Sequence, residues 1–343
     1  YKAGYNATTA SGSVFVGYQA GDAITTGNDN VVIGRDAASA LTVEQESVII
    51  GTEAMKTSDN GSHNTVIGYK AAYDLYSGNN DNTVIGWSAL SGANTSAGAS
   101  ENNTVIGSKS MLSSVSAVNC ATLGVNTLYS ITSGDFNVSV GAHSGYASTT
   151  ASGSTFLGYT AGYSNTTGNM NIAIGYDAMN GGTTTGDNNV AIGVSALDAV
   201  TSGYNNIAIG DNAAGALTTG ARNVLIDPDP GAGGVTAGVT TGTQNVGVGY
   251  ATLVALTDGY GNIAIGAQAG NKIAGGDNNI TMGYQAGLNI NAGSQNIILG
   301  FRAADAANIS NQIAIGYEAL GAVNQSTQNI GIGNYALNKL TVG

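Results

Sequence analysis

A glycine that returns every seventeen residues constrains this chain more than any other feature. It closes a short aliphatic run, as in VVIG at Gly34, TVIG at Gly68, IAIG at Gly175 and VAIG at Gly193, and it recurs from Gly17 to Gly333. Two intervals are longer by more than one residue, Gly86 to Gly107 and Gly210 to Gly249, and Asp227 takes the glycine's place inside the second. A short period carried along the whole chain argues against ordinary globular domains. It predicts stacked units, none of which can bury its apolar face alone. The expected architecture is all-β: one repetitive parallel β-roll, or β-solenoid, of about nineteen coils over residues 1–343, interrupted at 86–107 and 227–249.

With the repeat glycine as position zero, the other columns follow. Positions −1 (Ile33, Ile50, Ile174, Ile265) and −3 (Val31, Val48, Ile172, Ile207) are aliphatic. Alternation of β-branched residues predicts a strand whose −1 and −3 side chains share a face, and that face is assigned to the coil interior. Position −4 is Asn in fourteen coils, among them Asn30, Asn64, Asn206 and Asn262, and predicts an amide ladder running from coil to coil. The repeat glycine marks a place where φ is positive or where no Cβ fits. A second turn is expected at −7 (Gly27, Gly168, Gly203), and tight packing at +3, which is Ala in fourteen coils such as Ala20, Ala54 and Ala178. Each coil is expected to contain two short strands joined by two turns.

Composition narrows the function. Nine Lys and Arg face twenty-one Asp and Glu, for a net charge of −12 with no basic cluster, which argues against nucleic acid and anionic membrane surfaces as partners. No apolar run approaches the roughly 18 residues of a spanning helix, so membrane insertion is not expected. Cys120 stands alone and cannot form an intrachain disulfide. Both ends cut through the repeat, at Tyr1 and at Gly343, so the chain reads as a segment of something longer.

No catalytic constellation emerges. His63 and His143 lie in different coils, Cys120 has no histidine in a neighbouring ladder position, and Asp36 and Glu53, one period apart, read as a surface charge column. An enzyme, a cofactor and a metal are all unexpected. Both prolines fall in NVLIDPDPGAGG, residues 223–234, where Asp227 and Asp229 suggest a hard-cation site but are better explained as an interrupted coil. The 227–240 loop is nonetheless the candidate place for a local function. Position +1 carries Tyr18, Tyr69, Trp87, Tyr159, Tyr176, Tyr250, Tyr284, Phe301 and Tyr317, either a structural ladder or a stripe on which sugars stack. Pairs such as Thr25-Thr26, Thr166-Thr167 and Thr218-Thr219 hint at an ice-binding array, but too many coils lack them.

The core NIAIGYDAM, NVAIGVSAL and NIAIGYEAL resembles the head repeat of trimeric autotransporter adhesins of the YadA type. The longer form TTGNMNIAIGYDAM is similar to repeats of bacteriophage tail-fibre proteins, and the seventeen-residue period favours the fibre type. The resemblance implies a left-handed roll, a parallel homotrimer and an extracellular role in host-surface attachment. It places the chain in a virion tail fibre or, alternatively, on a bacterial cell surface, with a glycan or protein receptor.

Overall fold

A computed structural model describes residues 2–58, 60–75, 79–92, 100–226, 241–305, 309–321 and 328–339. The candidate residues Asp227 and Asp229 lie outside the described residues, as do parts of both interrupted coils. The chain forms two compact units, Tyr1–Met170 and Asn171–Gly343. Among the described residues both are all-β, with no helix. The first unit contains a parallel sheet of nine three-residue strands, from Val14–Val16 to Thr155–Leu157, and the second a parallel sheet of ten, from Ile172–Ile174 to Ile330–Ile332. Each strand stops one residue short of the repeat glycine, or of Asp227. Equivalent columns pair, Val31 with Val48 and Val190 with Ile207, and the pairing survives the longer intervals, Thr83 with Thr104 and Val224 with Val246. This is a parallel β-solenoid.

The interior is not lined by the residues the pattern suggested. Within these strands the middle residue, −2, is buried in all but the first, where Phe15 is half-buried between exposed Val14 and Val16, while −1 and −3 are half-buried or exposed throughout: Ile207 and Ile209 flank a fully buried Ala208. The expectation of an interior built from −1 and −3 is therefore corrected. Its physical reason is the ladder. Successive strand residues point to opposite faces, and the Asn side chains at −4 are buried, so −2 must share their side and −3 and −1 the other.

The coil interior is narrow, and its volume is balanced between −2 and +4. Where −2 is Phe156, the flanking +4 residues are Gly145 and Gly162, and a β-carbon added at Gly145 would lie 2.7 Å from the Phe156 ring. Where −2 is Ala173 or Ala191, +4 is Met179 or Leu197, all fully buried. The +3 alanines and a +7 column of Ile24, Leu41, Ile131 and Leu217 complete the core. Close packing of this kind tolerates exchange of volume between facing positions but not its loss.

The amide ladder holds the coils in register. Asn206 Nδ2 donates to the Gly220 carbonyl (2.9 Å) in the next coil, and its Oδ1 accepts from the Asn223 backbone N–H (3.0 Å) and from Asn223 Nδ2 (3.0 Å). Asn245, Asn262 and Asn279 repeat the pattern. Each side chain thus satisfies backbone groups that the turns leave without a sheet partner.

One three-residue strand per coil is the rule. The second strand expected in every coil occurs, among the described residues, only as a small parallel sheet of Val43–Gln45, Asn60–Ser62 and Asn79–Asn80; elsewhere that side of the coil consists of turns.

Candidate functional site

The outward parity of −1 and −3 creates the most conspicuous surface of the molecule. Val16 is 53% exposed and Leu123 51%, with Val14, Val138 and Leu157 on the same face of the first unit. In the second unit Ile207, Ile265, Met282 and Ile297 are the exposed members of the same two repeat positions. Position +1 lies immediately after the glycine and adds exposed aromatic residues: Tyr18, Tyr69, Trp87 and Tyr159 in the first unit, and Tyr176, Tyr284, Phe301 and Tyr317 in the second, with Tyr250 half-buried. Soluble monomers rarely leave contiguous apolar areas of this kind uncovered.

The aromatic column is a ladder where it is continuous. Tyr284 and Phe301 stack at 5.2 Å between centroids, and Phe301 and Tyr317 at 5.1 Å with an interplanar angle of 3°. These rings use their faces on one another at the coil spacing and present their edges outward. In the first unit the column is broken by Arg35, Thr52, Ser108, Val125 and Ala142, and Lys70 and Lys109 lie over Tyr69 (5.5 Å) and Trp87 (4.8 Å).

A second stack was missed by the sequence reading. Tyr129, Tyr146 and Tyr163, all at +5, stack at 4.9 and 5.0 Å. His143 packs against Tyr146 (5.7 Å), Tyr159 (6.2 Å) and Tyr163 (6.5 Å), so it is a member of an aromatic cluster. The signal was present as three tyrosines at an interval of seventeen. It was overlooked because the column is aromatic in only a few coils.

The polar candidates are tied to their neighbours. Lys56 Nζ reaches Asp36 (3.7 Å) and Glu53 (3.3 Å), and Lys70 reaches Glu53 (3.5 Å). Burial opposes ionisation of Glu53, and Lys56 and Lys70 overcome it, holding the carboxyl below its ordinary range. His63 lies between Glu46 (3.8 Å) and Asp81 (3.4 Å) in an exposed column. Among the described residues no group of three or more His, Cys, Asp and Glu is placed to hold a metal ion. The threonines form a hydroxyl column: Thr25 donates to the Thr42 carbonyl (3.1 Å), Thr132 to that of Thr149 (3.0 Å) and Thr201 to that of Thr218 (3.1 Å).

No family model matches the chain, and no curated protein does. The functional reading therefore rests on the geometry of the columns.

Cys120 occupies a ladder position as a defect. Its buried thiol lies 3.5 Å from the Gly134 carbonyl that an asparagine would bond, and burial pushes the thiol up to about 11. The folded protein should resist alkylation at neutral pH, because the thiolate is the reactive species. Cys120→Asn should stabilise the first unit by about 1 kcal/mol by completing the ladder. Urea unfolding of both proteins, with alkylation followed by mass measurement, checks both expectations.

Proposed function

We propose that this chain is a non-catalytic structural and adhesive fibre segment. It assembles side by side with identical copies through the face formed by its −3, −1 and +1 columns. The exposure of aliphatic and aromatic residues on that one face carries the reading: two β-branched columns that no element among the described residues covers favour an apolar partner. Copies of the same chain provide one with matching coil spacing, and cyclic symmetry brings like columns together. The resemblance of the repeat favours three copies, an extracellular location and attachment to a host surface as part of a phage tail fibre. The head of a bacterial trimeric autotransporter adhesin is the alternative. The mutual stacking of Tyr284, Phe301 and Tyr317 favours a structural role for the aromatic column over direct stacking on a glycan.

The test is the mass of the protein in solution. Sedimentation at micromolar concentration should give three chains for the wild type. A variant carrying Ile207→Lys and Ile265→Lys should give one folded chain, since both side chains are on the surface and a buried lysine is strongly disfavoured. A monomeric wild type, or a variant that still assembles, would remove the reading.

A further inference from the structure

Position −7 is glycine in most coils because the next coil lies against it: a β-carbon added at Gly203 would come within 2.5 Å of the Gly220 carbonyl oxygen. The coil that ends at Gly51 departs from this rule twice. Its −7 residue is Glu44, and its ladder residue is Ser47 in place of Asn. The two departures belong together. A β-carbon at −7 points toward the ladder amide of its own coil, 3.2 Å from Asn206 Nδ2 at Gly203 and 3.1 Å from Asn64 Nδ2 at Gly61. A serine in the ladder leaves room there for the glutamate side chain.

Glu44 is fully buried, and neither carboxyl oxygen meets a hydrogen-bond partner. Oε2 sits beneath the glycine of the next coil, 3.3 Å from where a Gly61 β-carbon would be. Ser47 of its own coil and Asn64 of the next are the polar side chains nearest to it, and among the described residues no cation compensates it. Among the described residues, the titratable groups beside these strands, Asp29, Glu46, His63 and Asp81, belong to the exposed −5 column and turn outward, while Asp36, Glu53, Lys56 and Lys70 of the same coils pair with one another. Glu44 is also the central residue of Val43–Gln45, a strand of the small second sheet.

We propose that Glu44 is a proton-operated latch on that sheet. With its carboxyl protonated, the strands Val43–Gln45 and Asn60–Ser62 stay closed over it; when the proton leaves, they open. Burial raises the group from 4.5 to about 7, with Ser47 and Asn64 offsetting only part of the cost. The closed coil therefore keeps its proton up to about pH 7, whereas an open one releases it near pH 4.5. Stability of the closed form is fully present below the lower value and is lost as pH rises through the upper one.

Hydrogen exchange of the amides in 43–45 and 60–62, corrected for intrinsic rates, tests the latch on the whole protein. Between pH 5 and pH 8 the opening constant of the wild type should rise roughly a hundredfold, the ratio set by those two values. In Glu44→Gln it should stay flat. Equal pH dependence in both proteins, or none in the wild type, would overturn the proposal. Carbon-detected titration of the Glu44 carboxyl in the wild type gives a reading that needs no variant: a midpoint near 7 supports the latch, and one near 4.5 refutes it.

Discussion

Asn206→Ala is expected to destabilise the second unit by about 4 kcal/mol, a large effect for one polar side chain. The alanine strands the Gly220 carbonyl, which accepts from Asn206 Nδ2 at 2.9 Å, and the Asn223 backbone N–H, which donates to Asn206 Oδ1 at 3.0 Å. It also takes one partner from Asn223 Nδ2 and one from Asn189 Oδ1. All the asparagines involved are buried. Each buried group left without a partner costs about 1–3 kcal/mol, so two orphaned backbone groups account for most of the loss. Serine gives a graded comparison, because natural serines already stand in the column: Ser13 and Ser47 each accept from the following ladder residue's N–H, at 3.1 and 2.9 Å. Asn206→Ser should therefore keep the acceptor, lose the donor and cost about half as much. Urea unfolding of the three proteins, with exchange rates at the Asn223 amide, separates these outcomes. Equal stability of Ala and wild type would mean that the ladder accompanies the fold without holding it.

The period, the parallel coils, the turn glycines and the amide ladder were all legible in the sequence, because each is a column with one chemical requirement. The direction of the strand side chains was misread. Hydrophobicity pointed to Ile207 and Ile209 as core and so put Ala208 on the opposite face, yet Ala208 is the buried residue. The parity could have been read from Asn206, since a ladder that bonds turn carbonyls has to lie inside, and −4 and −2 share a face. The exchange of volume between columns was a second signal. Phe156 at −2 occurs beside Gly145 and Gly162, and Ala191 beside Leu197, a compensation that makes sense only if −2 and +4 meet.

The candidate surface was half visible. Position +1 was recognised as an aromatic column, but its apolar companions at −1 and −3 had been placed inside, so the width of the exposed face was underestimated. The site at Glu44 was hidden for a different reason. A glutamate at a turn reads as a solvated charge, and only the position of the next coil above Gly61 places its carboxyl in the interior. Burial of this kind depends on three-dimensional stacking, which a column of residue types records only through the paired change to Ser47.

Gly175→Ala should be at least as damaging as loss of the ladder, costing about 4 kcal/mol or preventing the surrounding coils from closing. Two independent causes act at this position. The backbone has φ of +133°, a region in which a residue with a side chain is strained. An added β-carbon would also lie 2.5 Å from the Gly193 carbonyl oxygen and 2.7 Å from its carbon, both backbone atoms of the next coil held in register by the sheet. Positive φ alone is not the obstacle. At −5 the chain also turns with positive φ, 58° at Asn102 and 57° at Asn119, and it accommodates side chains there. Gly153 occupies that column with φ of 67°, and a β-carbon on it would meet only Met170 Cγ, at an ordinary 3.4 Å. Gly153→Asn is therefore expected to be neutral or to stabilise by about 0.5 kcal/mol, through reduced freedom of the unfolded chain. The contrast shows that a left-handed φ near 60° is open to side chains in these coils, so the seventeen-residue glycine is required by its wider φ of +133° together with the close approach of stacked backbones. Similar losses in the two variants, measured by thermal and urea unfolding, would mean that neither the wider angle nor the close approach sets Gly175 apart from an ordinary turn glycine.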